Sequence, residues 1–222
     1  MRPLRKLAIG LWVAAFLFAG FRFGPGWLTV ESTVNSSDNS TDNLQVSAAV
    51  EEATPAVRVG EPLPALTLND LRGQPRALSE WSGRTLLINF WATWCAPCRK
   101  EMPLLEQFHQ AEDPARLQVL GIAIDRRDPV LQFVGETGVT YPNLVGEMDA
   151  TRAAEQFVPG FALPLSVVAA PDGTVLAVHI GELKAADLEQ IAGVAAGLAA
   201  GTLTIASARA SLKLGAPATT GP

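Results

Sequence analysis

Short apolar runs alternate with longer amphipathic segments along the middle of this chain. The runs have the length of buried strands, and the amphipathic segments repeat their apolar positions with the period of an α-helix. This alternation is typical of an α/β domain. The predicted strands are Thr85–Trp91, Leu117–Ile124, Asn143–Val145, Leu165–Ala170 and Thr174–Ile180, and the predicted helices are Ala96–Gln110, Pro129–Thr137 and Lys184–Ala199.

The residues Pro171-Asp172-Gly173 set the direction of the last two predicted strands. They are typical of a tight hairpin turn, which joins antiparallel neighbours. Strands connected through helices run parallel instead. The sequence therefore predicts a central mixed sheet flanked by helices, and residues 57–200 are long enough to form one such domain.

The first 28 residues have the pattern of a membrane signal. Residues 1–6 are basic, and residues 7–28 are apolar apart from Arg22. We interpret 1–6 as a cytoplasmic segment and 7–28 as a single transmembrane anchor, because positive charge favours the cytoplasmic side. A cleaved signal peptide is the alternative, since the run also has the length of a signal-peptide core. An anchor in a bacterial inner membrane would place the domain in the periplasm.

Segments of low hydrophobicity flank the predicted domain. Residues 29–56 are rich in Ser, Thr, Asn and Asp, and they predict a flexible tether because they offer little apolar surface to bury. Residues 201–222 are expected to form a loose C-terminal tail. A tether of this kind would hold the domain near the membrane while letting it turn toward several partners.

Charge argues against a nucleic-acid partner. The formal net charge is −5 at pH 7, and it becomes −9 once Arg2, Arg5, Lys6 and Arg22 near the N-terminus are set aside. Proteins that bind nucleic acids carry basic surfaces. We therefore predict no nucleic-acid ligand.

The two cysteines of the chain, Cys95 and Cys98, lie where the first predicted strand leads into the first predicted helix. Thiols at this spacing form and reopen a disulfide with little backbone movement. The free N–H groups and the dipole of a helix start stabilise a thiolate, so Cys95 is the predicted nucleophile. Cys98, one turn further in, would be shielded and act as the resolving thiol. Pro97 suits the first helical turn.

Two other roles of the pair stay open. A zinc site needs four ligands, and the only histidines, His109 and His179, are far apart in the sequence. A structural disulfide that closes so short a loop would remove little chain entropy. Redox exchange is the favoured interpretation, and no metal site is predicted.

The run from Asn89 to Pro103, with Trp-Cys-Ala-Pro-Cys at its centre, resembles the active-site signature of the thioredoxin superfamily and of its membrane-anchored TlpA/ResA-like branch. Gly60–Pro64 resembles the N-terminal extension of that branch, and Gly160–Pro164 resembles the stretch that carries its cis-proline. The resemblance covers residues 57–200. It implies a thioredoxin-like fold with an N-terminal extension and thiol-disulfide oxidoreductase activity. Its redox group would be the Cys95–Cys98 disulfide, without a bound cofactor.

The resemblance also implies a role for Glu101, which matches an acidic residue that tunes the acidity of the thiols in this branch. Asn89 stands where ordinary thioredoxins carry a buried aspartate. Cys98 and Glu101 share a helix face, and a buried carboxyl with a raised pKa could take up and return the proton of the buried thiol. The alternative is an acid that only interacts with the helix dipole.

A substrate surface is implied beside the thiol pair. Pro164 matches the proline before the central strand, which is normally cis, although Pro142 and Pro159 compete for that position. The backbone of the residue before it would pair with an extended substrate segment. Trp91 is expected in the core. The implied substrate-binding residues are Trp94, Ala96, Pro97, Leu163 and Pro164.

The charged run Asp125–Asp128 follows the second long strand. In a thioredoxin-like topology this loop would lie near the site. The favoured interpretation is a solvated turn in which Asp128 caps the next helix and Pro129 takes its first position.

Resembling proteins mostly act as reductases, taking electrons from a membrane thiol carrier and passing them to oxidised protein cysteines. Cysteines of apocytochrome c and of copper-site assembly proteins are examples of such substrates. A strong oxidant would be expected to carry histidine between its cysteines, where this chain has Ala96-Pro97. We therefore expect a periplasmic reductase of protein disulfides.

Three other functions stay open. A Cu(I)-delivery module could use the soft thiolates of Cys95 and Cys98. A peptide-binding module would depend on the groove beside Pro164 rather than on the thiols. A thiol peroxidase needs a Pro-x3-Thr/Ser-x2-Cys setting, which the stretch before Cys95 lacks.

Overall fold

The computed structural model of the protein describes residues 57–215. The predicted cytoplasmic segment, anchor and tether lie outside the described residues, as do residues 216–222 of the predicted tail. The strands are β1 Thr67–Asp70, β2 Pro75–Ala77, β3 Thr85–Trp91, β4 Leu117–Ile124, β5 Asn143–Gly146, β6 Leu165–Ala169 and β7 Val175–Ile180. The helices are α1 Ala96–Ala111, α2 Arg127–Thr137, α3 Met148–Glu155, α4 Ala185–Ala199 and α5 Ile205–Ser211, and a 3₁₀ helix spans Leu78–Trp81.

Within the described residues, all the strands join one mixed sheet in the order β2-β1-β5-β4-β3-β6-β7. Strand β3 lies parallel to β4 and antiparallel to β6, and β4 lies parallel to β5. The carboxyl ends of β3, β4 and β5 therefore meet at one edge of the sheet. Because β3 leads directly into α1, the cysteine pair lies at this edge.

The core lies on both faces of the sheet, because every residue of β3 is buried. Leu87 and Trp91 face one apolar cluster, which α1, α2, α4 and α5 cover. Ile88 and Phe90 face the other cluster, which α3 and the 3₁₀ helix cover. Successive side chains of a strand point to opposite faces, so a continuous apolar run suits a strand covered on both sides.

The predicted mixed sheet flanked by helices is confirmed, and β3 and β4 have the predicted bounds. The predicted hairpin is confirmed as well. The N–H of Gly173 donates to the C=O of Ala170 at 2.9 Å, and Gly173 has a φ of +88°, which favours glycine. The antiparallel pair β6–β7 follows from this turn.

The C-terminal part of the domain differs from the expected loose tail. Helix α5 begins after Thr204, whose side chain accepts a hydrogen bond from the N–H of Ser207 at 3.2 Å. Ala208 and Leu212 are buried against the α4 side of the core. Residues 205–212 are therefore packed on the domain, and the expectation of a loose tail is wrong for them.

Three further elements were not predicted, namely the hairpin of β1 and β2, the 3₁₀ helix and α3. The hairpin extends the sheet beyond β5, and it belongs to the N-terminal extension that the resemblance implied. Within residues 57–215, none of the helices combines the length and the apolar character that a membrane span requires.

Candidate active site

Cys95 and Cys98 are joined by a disulfide at the N-terminus of α1. Cys95 caps the helix, and its Sγ accepts a hydrogen bond from the backbone N–H of Cys98 at 3.2 Å. Cys95 is 5% exposed, whereas Cys98 is completely buried. The predicted shielding of Cys98 is confirmed, and the sulfur of Cys95 lies where helix N–H groups favour a thiolate once the disulfide is reduced.

The turn before Cys95 is held from two sides. The buried ring of Trp91, at the end of β3, donates from Nε1 to Oδ1 of Asn143 at 3.0 Å, and its predicted place in the core is confirmed. In the turn itself, the N–H of Thr93 donates to Oδ2 of Asp125 at 3.1 Å, and the Thr93 hydroxyl bonds to the same oxygen. These contacts fix the position from which Cys95 starts the helix.

The predicted cap at Asp128 is wrong. Helix α2 begins at Arg127, and Arg126 takes the cap position without a side-chain hydrogen bond. The Asp128 side chain is 92% exposed. The carboxylate of this loop that contacts the site is Asp125. The adjacent ends of the parallel strands β3 and β4 place it within hydrogen-bond distance of Thr93.

Glu101 is a buried carboxyl on α1, only 3% exposed. Its Oε1 accepts a hydrogen bond from Nδ2 of Asn89 on β3 at 2.8 Å, and its Oε2 accepts one from the N–H of Leu183 at 2.7 Å. Both hydrogen-bond partners lie outside α1. The alternative, in which Glu101 only interacts with the dipole of its own helix, is therefore wrong. Glu101 shares this buried position with Cys98 one turn earlier on the same helix.

Burial raises the pKa of Glu101 to about 7, because removal from water disfavours the charged form. The hydrogen bonds from Leu183 and Asn89 lower the pKa but do not cancel this effect. Glu182 nearby raises the pKa, and Lys184 lowers it. A carboxyl in this range changes its protonation state around neutral pH, as general acid–base chemistry requires.

The Leu163–Pro164 peptide bond is cis, as predicted. Pro164 is buried and directly precedes β6, and its C=O accepts a hydrogen bond from the N–H of Gly181 at 2.8 Å. Strand β6 lies beside β3, with Leu165 opposite Phe90 near the carboxyl end of β3. The pairing brings Pro164 to the edge of the sheet where the cysteines lie.

The residues around Cys95 are exposed. Trp94 is 69% exposed, and Ala96 and Pro97 are exposed as well. Leu163 is half-buried. An exposed aromatic ring beside a nearly buried sulfur offers contact surface to an incoming chain.

Among the unpredicted contacts of this site, two connect Asn89 and Glu101 to distant segments. Ser166 on β6 accepts a hydrogen bond at Oγ from Nδ2 of Asn89 at 3.1 Å, and the main chain of Leu183 binds Glu101. Ser166 lies directly opposite Asn89 in the sheet. Only the register of β3 with β6 reveals that contact.

Two-electron exchange between a disulfide and a dithiol is the chemistry that these groups support. No cluster of three or more His, Cys, Asp or Glu side chains that could hold a metal ion occurs within residues 57–215. The carboxyl of Glu101 adds a group for proton transfer beside the pair.

Comparison with known proteins places this site in a family. The model of the family described as Redoxin matches residues 58–194. The thiol-disulfide oxidoreductase ResA of Geobacillus kaustophilus is 29% identical over 136 residues, which is 61% of this chain and 76% of that protein.

Solved structures of thiol-disulfide proteins have a similar fold. A thiol:disulfide interchange protein of the thioredoxin family from Chlorobium tepidum matches with a TM-score of 0.54 and 28% identity, over 65% of this chain and 98% of that one. A secreted thiol-disulfide isomerase from Corynebacterium glutamicum matches with a TM-score of 0.54 and 29% identity, over 59% of this chain and 82% of that one.

The family match spans more than half of the chain and includes the cysteine pair, Glu101 and the cis-proline. The fold matches that of the solved thioredoxin-like proteins. The chain therefore belongs to the Redoxin family, as a thiol-disulfide oxidoreductase of the thioredoxin-like type.

Proposed function

We propose that this protein reduces disulfides of other proteins on the periplasmic side of a bacterial inner membrane. The observation that carries the proposal is the difference between its two sulfurs. Cys95 keeps 5% exposure at the helix start, beside the exposed Trp94, Ala96 and Pro97, whereas Cys98 is completely buried one turn later. A buried thiol cannot meet a protein substrate, but it can attack a neighbouring sulfur that already belongs to a mixed disulfide.

The exchange takes two steps. In the reduced protein, the Cys95 thiolate attacks one sulfur of the substrate disulfide, and the other substrate sulfur leaves as a thiolate. Cys98 then attacks Sγ of Cys95, which forms the Cys95–Cys98 disulfide and releases the second substrate sulfur. Two electrons pass to the substrate, and its thiolates take up two protons. A membrane thiol carrier would restore the dithiol by the reverse exchange.

Glu101 is the group that we assign to the proton of Cys98. Its carboxyl is buried on the same helix, and its pKa of about 7 leaves it close to half-protonated at neutral pH. It can therefore accept the thiol proton as Cys98 becomes a nucleophile and return that proton when the pair is reduced again.

The substrate chain would lie across the exposed surface around Cys95. Trp94 offers an aromatic contact, and the backbone of Leu163 before the cis-proline offers main-chain pairing to an extended segment. Ala96 and Pro97 lie exposed between the two cysteines and add contact surface without charge. This arrangement favours a segment of protein as substrate.

The sequence supports the proposed direction of electron transfer, the periplasmic location and the substrates. Ala96-Pro97 lacks the histidine expected of a strong oxidant, and the basic start followed by the apolar residues 7–28 supports an inner-membrane anchor. The resemblance to the TlpA/ResA-like branch favours apocytochrome c or copper-site assembly proteins as substrates. A relative carries the name thiol-disulfide oxidoreductase ResA.

The redox potential of the Cys95–Cys98 pair tests whether the protein acts as a reductase or as an oxidase. Equilibration of the full-length protein with glutathione or dithiothreitol should give a potential nearer to about −270 mV, the value of thioredoxin, than to about −120 mV, the value of a strong disulfide-forming oxidant. A potential near the second value would contradict the reductase assignment.

Trapping tests the roles of the cysteines. In cells, Cys98→Ser should leave Cys95 bound to its substrate as a stable mixed disulfide, which mass spectrometry can identify. Cys95→Ser is the matched control and should trap nothing, because Cys98 is buried. Efficient trapping by the control and none by Cys98→Ser would reverse the two roles.

An alkaline wash of membranes tests the anchor. The full chain should stay in the pellet after the wash, and deletion of residues 7–28 should release it. Release of the full chain by the same wash would contradict the anchor.

A further inference from the structure

The amide of Asn89 lies fully buried in the middle of β3, between Glu101 and Ser166. Its Nδ2 donates to Oε1 of Glu101 at 2.8 Å and to Oγ of Ser166 at 3.1 Å. Its Oδ1 has no hydrogen-bond partner among the residues that the structure describes. A buried carbonyl oxygen without a donor is unfavourable, so this orientation of the amide carries a cost.

The orientation suits only the ionised form of Glu101. Oε2 already accepts the N–H of Leu183 at 2.7 Å, so a proton on the carboxyl belongs on Oε1. There it would face Nδ2 of Asn89, and two donors would point at each other. The protonated acid needs an acceptor at that place.

A half-turn of the amide supplies the acceptor. Rotation about the last side-chain bond of Asn89 exchanges Oδ1 and Nδ2, which places Oδ1 beside both Glu101 and Ser166. A serine hydroxyl can donate as well as accept, so Ser166 can bond to the amide in either orientation. Oδ1 then gains two donors, and Nδ2 takes the place in which Oδ1 has no partner among the described residues.

We propose that Asn89 is a positioning residue whose amide turns with the protonation state of Glu101, presenting Nδ2 to the carboxylate and Oδ1 to the carboxylic acid. This inference rests on the proposed function only in the role of Glu101 as a proton carrier for Cys98. By bonding to both forms, Asn89 keeps the carboxyl in place while its proton arrives and leaves.

The other groups around Glu101 do not offer this exchange. Glu182 and Lys184 act from the loop after β7 through their charge, and they are bonded to each other at 2.8 Å. Tyr141, before β5, has a buried hydroxyl, and its pKa is raised first by burial and then by the charges of Glu101 and Glu106. The N–H of Leu183 can only donate. The Tyr141 hydroxyl makes no hydrogen bond to a described residue. Of the two groups that hydrogen-bond to Glu101, Asn89 and the N–H of Leu183, only Asn89 has both a donor and an acceptor.

Infrared difference spectroscopy of the full-length oxidised protein tests the proposal. With asparagine carrying ¹³C in its side-chain carbonyl, the Asn89 band is assigned by its loss in Asn89→Leu, and the Glu101 carboxyl band by its loss in Glu101→Gln. On acidification, the Asn89 carbonyl band should move to lower frequency as it gains hydrogen bonds. It should move with the same midpoint as the Glu101 band, near pH 7.

Two comparisons sharpen the test. In Glu101→Gln, the amide of the new side chain can donate to Oδ1 of Asn89 at every pH, so the Asn89 band should stay at its low-frequency position throughout. Asn143 is the internal control, because its Oδ1 already accepts from Trp91 at 3.0 Å and its band should not move. If Asn89→Leu does not fold, the comparison of the wild type with Glu101→Gln still shows whether the Asn89 amide turns.

The outcomes separate the inference from the proposed function. If the Glu101 band titrates while the Asn89 band stays fixed, the amide does not turn, and the inference is overturned while the role of Glu101 stands. If the Glu101 band does not titrate between pH 5 and 9, the proton-carrying role fails and the inference fails with it.

Discussion

The ionisation of Glu101 should make the stability of the oxidised protein depend on pH. Its pKa is raised from 4.5 to about 7 in the folded protein, and each unit of difference corresponds to about 1.36 kcal/mol. Because the folded protein holds this proton more tightly than the unfolded chain does, the contribution of Glu101 to stability is largest below the unfolded pKa. It should fall by about 3 kcal/mol as the pH rises through 7.

Glu101→Gln removes the titrating group and keeps the shape of the side chain. We expect the variant to lack this loss and to exceed the wild type in free energy of unfolding above pH 8, with the gain reduced by any hydrogen bond that the amide makes less well. The assay is urea unfolding of the oxidised full chain, with and without the substitution, at a series of pH values from 4 to 9.

The difference between the two curves isolates Glu101. The carboxyls of Asp70, Glu80, Glu106 and Glu182 have lowered pKa values, and they affect stability in the opposite sense at acidic pH. Both proteins share that effect, so it cancels. Parallel curves for wild type and variant between pH 4.5 and 8 would refute the raised pKa and the proton role built on it.

Three further substitutions test other parts of the site and fold. Asp125→Ala should free the turn before the cysteines, because it removes both hydrogen bonds from Thr93, and it should lower the free energy of unfolding by about 1–3 kcal/mol and slow insulin reduction. Asp128→Ala, at an exposed position, should do neither. Trp94→Ala should change the free energy of unfolding by less than about 0.5 kcal/mol, because the side chain is exposed. It should raise the KM for protein disulfides but not the KM for a small-molecule disulfide. An equal loss of activity on both substrates would contradict a role in substrate contact. Leu212→Ala should destabilise the domain by about 2–3 kcal/mol in urea unfolding, compared with the exposed Lys213→Ala as control. An unchanged midpoint would show that the packing of Leu212 after α5 contributes little.

The long strands and helices could be predicted from the sequence because their hydrophobic patterns are strong. The largely apolar runs of β3 and β4 gave the observed bounds, and the start of α1 follows from the cysteine and proline positions. These features depend on neighbours in sequence. Periodicity and turn residues express them directly.

The short elements were missed because their apolar signal is weak. Helix α3 buries only the small side chains of Ala150, Ala153 and Ala154, and α5 buries Ala208. Strand β1 buries a single residue, Leu68. Such segments are stabilised by packing against the rest of the domain rather than by their own pattern, as short helices generally are.

The sequence by itself determined the redox pair, because a cysteine at a strand-to-helix junction and a second one a turn later need only local geometry. Tertiary structure decided how the proton is handled. The partners of Asn89 and Glu101 include Ser166 and Leu183, which are 77 and 82 positions away from them along the chain. Burial and hydrogen bonding set the pKa of a carboxyl, and both depend on which distant segments the fold brings together.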